Sequence, residues 1–283
     1  MRLKPVRSVE EVEAYRASLR GREVVVIGAG RSGLATTGRL AEAGAHVRLA
    51  DAKPLSELAM AAEQVRRWGA GIIPQFERYE QIADADLVIS SPGIAWEHPA
   101  LVEARARDVE TFGTFEFAWR LCASPVVAVT GTNGKGTVCR MLSDMLEHAG
   151  IHHILAGNIG LPLAEKLDAT APDVVAILEV SSFQLETIVL FRPRIATLLN
   201  VTPDHLDRHP SYAAYTSAKA RIFENQRPED VAVINNDDEP ARQFAEATLA
   251  HKLRVSLASE TLDAGVEGEE FFVRVAGETE RIC

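Results

Sequence analysis

Thr130-Gly131-Thr132-Asn133-Gly134-Lys135-Gly136-Thr137 is the stretch on which the reading of the fold turns. Pro125–Val129 (PVVAV) before it is apolar and β-branched and reads as a buried strand; Val138–His148 after it reads as a helix. Glycines at such a junction let backbone N–H groups turn toward an anion. The helix start adds the positive end of its dipole, and Lys135 adds a full charge. The pattern predicts a nucleotide-phosphate cradle. It departs from a strict Walker A loop at two positions, because Val129 stands five before Gly134 where glycine is usual, and Gly136 follows Lys135 where Ser or Thr is usual. Thr137 then becomes the candidate hydroxyl for Mg²⁺. A glycine-rich surface turn with a solvated lysine is the bland alternative, and the strand–loop–helix context weighs against it.

Outward from this loop, strands and helices alternate in the way that builds parallel sheets with crossover helices. Ser8-Val9-Glu10-Glu11 fits a capping box and predicts a short leading helix from Val9 to about Leu19. Strand Glu23–Ile27, helix Ser32–Ala43, strand His46–Ala50, helix Ser56–Trp68, strand Leu87–Ser90 and helix Pro99–Arg107 make one α/β unit. A helical segment, Thr114–Leu121, leads out of it, with Glu116 as a structural or hinge-side contact and no catalytic role. A boundary near Ala123-Ser124-Pro125 divides a domain over 1–122 from a second over 123–283. The second holds the phosphate loop and strands Asp173–Glu179, Ile195–Leu199 and Val231–Asn235, with Leu253–Leu257 and Phe271–Val275 reading as strands in a glycine- and glutamate-rich tail.

A length of 283 residues suits roughly two domains. The formal net charge of −10 argues against nucleic acid as a partner, since a phosphate backbone is held by clustered Lys and Arg. Apolar runs such as Val24–Ile27 and Val174–Leu178 are far shorter than a membrane span, and Met1-Arg2-Leu3-Lys4-Pro5 lacks the apolar core of a signal peptide. A cytoplasmic chain is expected. Cys122, Cys139 and Cys283 are odd in number and widely spaced, with no C-x-x-C pair, and read as free thiols.

The first unit carries Gly28-Ala29-Gly30-Arg31-Ser32-Gly33 after a hydrophobic strand, with Asp51 at the end of the next strand, which is the Rossmann fingerprint. That pattern admits a diphosphate-bearing nucleotide without saying whether it is NAD, FAD or a UDP-sugar. The second loop at Gly131–Gly136 tells against a simple dehydrogenase, which has no use for a triphosphate cradle. Ser91-Pro92-Gly93 also follows a strand, where sheet ligands bind, though it reads equally as a plain turn.

In the second unit, Glu179 ends an apolar run, so its carboxylate emerges at a strand's carboxyl edge near the phosphate loop, a position suited to Mg²⁺. His205 lies in a polar loop with Asp204 and Asp207, where metal ligation and plain packing are both open. Lys219 falls in the apolar stripe Tyr212, Tyr215, Ile222 and Phe223 of a helix read from Ser211 to about Asn225. A lysine there is costly unless paired, neutralised or extended to solvent. Pattern alone ranks extension to solvent ahead of reaction of a neutral amine with CO₂ to give a carbamate.

These residues together resemble the Mur ligase family, and within it the D-glutamate-adding branch. The matching segments are Ser90–Pro99 (SSPGIAWEHP), Val127–Thr137 (VAVTGTNGKGT), Gly157–Pro162 (GNIGLP), Leu178–Glu186 (LEVSSFQLE), Leu199–His209 (LNVTPDHLDRH) and Ala218–Asn225 (AKARIFEN), spanning most of the chain from about residue 23 to 240. The resemblance implies an α/β fold with a Rossmann-like UDP-sugar-binding domain followed by a P-loop-type ATPase domain with a mostly parallel sheet. It implies that Arg31, Ser32, Asp51, Ser91, Pro92 and Gly93 lie near a uridine diphosphate, and Asn158 and His205 near the muramoyl part or its metal. Gly131, Thr132, Asn133, Gly134, Lys135, Gly136 and Thr137 would hold ATP. Lys135, Glu179, His205 and Lys219 would be catalytic, with Thr137 and Glu179 on one Mg²⁺ and His205 and a carbamylated Lys219 on a second. The implied substrates are UDP-N-acetylmuramoyl-L-alanine, D-glutamate and ATP, joined by a monomeric enzyme through an acyl phosphate.

Two departures from the family pattern stand out. Gly136 replaces the usual Ser or Thr after the loop lysine, a feature shared with folylpolyglutamate synthases, and moves the metal-ligand expectation to Thr137. The sequence also stops at Cys283, where family members continue into a third domain, so the expectation is UDP-sugar binding with little or no ligation. A folylpolyglutamate synthase-like ligase, a nicotinamide-dependent oxidoreductase and a non-catalytic nucleotide-binding fragment are the rival readings.

Overall fold

The computed structural model describes residues 3–158, 160–258, 262–267, 270–275 and 278–282. The chain opens with α1 (Val9–Ser18), whose N-cap Ser8 accepts from the Glu11 N–H while the Glu11 side chain accepts from the Ser8 N–H, the capping box the sequence predicts. The following run is β1 (Glu23–Ile27), α2 (Arg31–Glu42), β2 (His46–Ala50), α3 (Ala59–Arg67), β3 (Gly71–Ile73), β4 (Leu87–Ser90), α4 (Pro99–Ala106) and β5 (Glu110–Gly113). The five strands form a wholly parallel sheet ordered β3-β2-β1-β4-β5. Val24, Val25, Val26 and Ile27 are all buried because helices cover both faces of β1. The strand order reverses between β1 and β4, and a crevice opens beyond the carboxyl ends of these two strands.

Helix α5 (Thr114–Arg120) leads to the second sheet. Its elements are β6 (Val126–Thr130), α6 (Lys135–His148), β7 (His153–Gly157), α7 (Leu163–Lys166), β8 (Val175–Glu179), α8 (Ser182–Leu185), β9 (Ile195–Leu198), α9 (Tyr212–Ala220), β10 (Val231–Asn235), α10 (Glu239–Glu246), β11 (His251–Ser256), β12 (Ala264–Glu267), β13 (Glu270–Val275) and β14 (Glu278–Ile282). The order is β14-β13-β12-β11-β10-β9-β6-β8-β7, parallel from β7 across to β12 and antiparallel from β12 to β14. The protein is thus an α/β fold with mostly parallel sheets. Among the described residues no helix is long and apolar enough to cross a membrane.

One apolar core runs through both sheets, from Val24 and Leu49 through Phe115 and Phe191 to Ala196 and Tyr215. Its junction is α5. Phe115 and Trp119 meet the Phe191 ring edge-on at 4.8 and 5.7 Å. Glu116, fully buried, accepts from the backbone N–H groups of Val189, Leu190 and Phe191 at 3.0–3.1 Å and from Arg120 Nε at 2.9 Å. A buried charge is tolerable where it is paired and saturated with donors in this way. Glu116 therefore ties the linking helix to the chain that follows α8. Cys122 and Cys139 are buried free thiols, and burial raises both, to about 11 and about 12, which makes them inert. Cys283 lies outside the described residues.

Candidate functional site

The phosphate loop sits where β6 ends, between β8 and β9. Gly134 caps α6 with φ +81°, a left-handed backbone that a side chain would strain. The helix begins at Lys135, three residues earlier than the sequence suggests, so the loop's last residues form the helix's first turn and their N–H groups are free of partners within the helix. Thr137 is exposed in that turn. Asn200, just past β9, accepts at Oδ1 from the Asn133 N–H (2.9 Å) and donates from Nδ2 to the Asn133 carbonyl (3.2 Å). The Thr132 hydroxyl accepts from the Thr202 N–H at 3.0 Å and lies 3.0 Å from the Tyr215 hydroxyl.

Two lysines converge on this loop. Lys135 Nζ donates to the carbonyls of Gly131 and Thr132, both at 2.9 Å. Lys219 Nζ donates to the same Gly131 carbonyl at 2.7 Å and lies 4.7 Å from the centre of the Tyr215 ring. Lys219 is only 2% exposed, so its head does not extend to solvent as the sequence pattern favours. The loop carbonyl, 88 residues away in sequence, supplies the partner the helix pattern could not reveal. Burial, with the Lys135 charge beside it, pulls the Lys219 amine down to about 7.

Glu179 ends β8, in register with Val129 of β6, and is 1% exposed. Its Oε1 accepts from Asn158 Nδ2 at 3.0 Å, while Oε2 is buried without a hydrogen-bond partner. A buried, half-satisfied carboxylate beside a phosphate loop fits Mg²⁺, which takes a few protein oxygens and completes its shell with water and phosphate. Among the described residues no group of three or more His, Cys, Asp or Glu comes together as a metal site.

His205 occupies a different setting. It has φ +52°, its side chain is half exposed, and its ring lies 5.1 Å from Phe183 and 6.2 Å from Tyr215. No hydrogen bond or ion pair joins it to Glu179 or Lys219 among the described residues; His205 and Lys219 both pack on Tyr215. A second histidine that the sequence reading passes over, His209, is buried, stacks on Phe183 at 5.2 Å and lies 3.0 Å from the Ser182 hydroxyl.

At the crevice of the first sheet, a cleft of about 460 Å³ is lined by Arg31, Ser32, Asp51, Ser91, Pro92, Gly93 and Asn158 together. His205 is not among its lining residues. Gly33 permits α2 to pack this close: a Cβ there would lie 1.9 Å from the Gly28 carbonyl oxygen. The Ser91 hydroxyl donates to that carbonyl at 3.0 Å. Asp51 accepts from the Ala29 N–H (2.8 Å) and the Lys53 N–H (3.0 Å), so it pins the glycine loop from the neighbouring strand. Arg31 at the start of α2 forms a two-pronged pair with Glu165 of α7, at 2.6 and 3.0 Å. Gln184, in the SSFQLE segment, also lines the cleft. The cleft thus takes walls from both sheets, and Asn158 belongs to it while bonding Glu179 of the phosphate site.

Residues 22–113 match the Mur ligase MurD-like, N-terminal domain, and residues 129–278 match the Mur ligase middle domain. The chain belongs to the Mur ligase family. It is 39% identical over 227 residues to the UDP-N-acetylmuramoylalanine–D-glutamate ligase of Koribacter versatilis, covering 80% of this chain and 50% of that protein. It is 40% identical over 248 residues to the ligase of the same name from Desulfosudis oleivorans, covering 88% and 54%. The chain spans about half the length of the curated relatives it matches. In fold it is similar to the UDP-N-acetylmuramate:L-alanyl-gamma-D-glutamyl-meso-diaminopimelate ligase of Neisseria meningitides, with a TM-score of 0.56, 18% identity, and 93% of this chain and 87% of that one covered.

Proposed function

We propose that the chain binds UDP-N-acetylmuramoyl-L-alanine and ATP for the ATP-dependent addition of D-glutamate, an amide-forming step in making peptidoglycan precursors in the cytoplasm. The division of labour is a UDP-sugar-binding domain over 1–122 and an ATP-binding domain over 123–283, acting as a monomer. The observation that carries this reading is Asn158, which lines the first-sheet cleft and donates to Glu179 beside the phosphate loop. A ligase must bring a nucleotide-linked carboxylate up to an ATP phosphate, and this contact makes the two sites neighbours.

In the proposed reaction the alanyl carboxylate oxygen attacks the γ-phosphorus of ATP, ADP leaves, and an acyl phosphate forms. The amine of D-glutamate then attacks the acyl carbon, inorganic phosphate leaves, and the amine gives up a proton. Both partners are anions, so the chain's contribution is positioning and charge compensation. Lys135 swings from its own loop carbonyls onto phosphate oxygens, and the backbone N–H groups of the loop over Gly131–Thr137 cradle the same group. Thr137 and Glu179 would hold one Mg²⁺, and His205 with a carbamylated Lys219 a second, the metal supplying further charge compensation when bound. An amine drawn toward neutrality is the form that reacts with CO₂, which favours Lys219 for that modification.

Calorimetric titration of the chain with UDP-N-acetylmuramoyl-L-alanine, and in parallel with NADH, tests the reading. Binding of the muramoyl nucleotide without NADH is expected. Binding of NADH alone would return the Gly28–Gly33 loop to a dehydrogenase role and sink the ligase proposal.

A further inference from the structure

Helix α2 faces α7 and the 3-10 turn that follows it, Leu167–Ala169, through two arginine–carboxylate pairs. Arg39 Nη1 and Nη2 reach Asp168 at 2.8 and 2.7 Å, and its Nε donates to the Ala164 carbonyl at 2.9 Å. The Arg39 side chain is only 17% exposed although Asp168 is 81% exposed, so what fixes α2 against α7 is the half-sunk Arg39 head on the Ala164 carbonyl. Arg31, two turns earlier, is paired with Glu165 by two hydrogen bonds of its own, but its side chain is 58% exposed and Glu165 30%. Either partner can let go and meet water without leaving a charge stranded in the interior. Arg31 is also the first residue of α2 and a wall of the first-sheet cleft, where a diphosphate is read to sit. The cation best placed for that anion is therefore held by a carboxylate from the other sheet.

We infer that Glu165 sets the anion affinity of the nucleotide-sugar cleft by competing with the ligand's diphosphate for Arg31. The inference rests on the proposed UDP-sugar reading of that cleft. Arg31 exchanges one anionic partner for another when the nucleotide enters, and Glu165 turns to solvent. Glu165 touches no substrate atom in this scheme; it acts through Arg31 and is a positioning residue. Arg39 keeps α2 joined to α7 through the Ala164 carbonyl throughout.

The test uses the whole chain and two probes that share a base and differ in charge, UDP and uridine, titrated calorimetrically into wild type, Glu165→Gln and Glu165→Ala. Both variants are expected to bind UDP about three- to fivefold more tightly than wild type, the range an exposed ion pair commands, with uridine affinity unchanged and the gain shrinking in high salt. Asp168→Asn, which takes the neighbouring exposed carboxylate from Arg39 and leaves Arg31 and Glu165 paired, is expected to leave the ratio of UDP to uridine affinity unchanged. If wild type binds UDP and the Glu165 variants bind it equally or more weakly, the competition is overturned and the UDP-sugar reading stands. If wild type binds neither UDP nor UDP-N-acetylmuramoyl-L-alanine, the site reading fails and the competition with it.

Discussion

The two glycine-rich loops of this protein stand at equivalent places, each at the carboxyl end of a parallel strand and at the start of a helix, yet they are held in opposite ways. At Gly28–Gly33 the fastening comes from neutral and acidic neighbours: Ser91 on the Gly28 carbonyl, Asp51 on the Ala29 N–H. Its one cation, Arg31, is turned away to Glu165. At Gly131–Gly136 the fastening comes from Asn200 and from two lysines that rest on the loop's own carbonyls. Glycine spacing fixes where such a loop bends and how close a helix can come; the neighbours decide how much charge it can meet. On the proposed reading the second loop offers the Lys135 charge to a triphosphate, and the first offers N–H groups and one releasable cation to a diphosphate.

The sharpest way to break this contrast is to remove the loop lysine. Lys135→Met is expected to weaken ATP binding about a hundredfold, the worth of a charge-assisted contact to phosphate, while UDP binding stays at the wild-type value. Calorimetry with each nucleotide checks it, and a parallel loss of UDP affinity would show that the loops are not independent. On the other side, Gly33→Ala places a Cβ against the Gly28 carbonyl and is expected to cost about 2 kcal/mol in denaturant unfolding, with UDP binding lost before ATP binding. Equal loss at both sites would instead mark Gly33 as a general packing residue.

A pH-dependent effect concerns Lys219. Its folded value is depressed to about 7 from an ordinary 10.5, so between those values the unfolded chain holds a proton that the folded chain has released. Stability contributed this way is present at high pH and is lost as pH falls toward 7. In CO₂-free buffer the wild type should gain up to about 1.4 kcal/mol per pH unit across that window relative to Lys219→Met, measured by urea unfolding at several pH values. Added bicarbonate should flatten the difference by converting the amine to a carbamate. A pH dependence shared equally by the two proteins would contradict the buried, depressed amine.

Much of this was legible in the sequence because the signals are local. Strands β1, β2, β4 and β10 fall within the residues their apolar runs mark, and the Ser8 capping box starts α1 where expected. What escaped lacked a local signal. β3 is three half-buried or exposed residues at a sheet edge, β5 (ETFG) has no apolar alternation, and the short HILAG of β7 is an edge strand ending at a glycine. The helix over α9 tightens into a 3-10 turn at Arg221–Phe223, which periodicity does not distinguish. The same division holds at the candidate site. Glycines and Lys135 announce themselves by spacing, whereas Glu165, Asn200 and the Gly131 partner of Lys219 act across 134, 67 and 88 residues of sequence. Only folding reveals such pairs, because nothing in one segment encodes the identity of the other.

The most direct test of two neighbouring but separate nucleotide sites is a double titration, in which a fluorescent ATP analogue is bound first and UDP-N-acetylmuramoyl-L-alanine is then added. Separate sites predict that the analogue stays bound and that the second nucleotide binds with its own stoichiometry of about one per chain. Displacement of the analogue in proportion to added UDP-sugar would mean a single shared site and would contradict the assignment of the two glycine loops to different ligands.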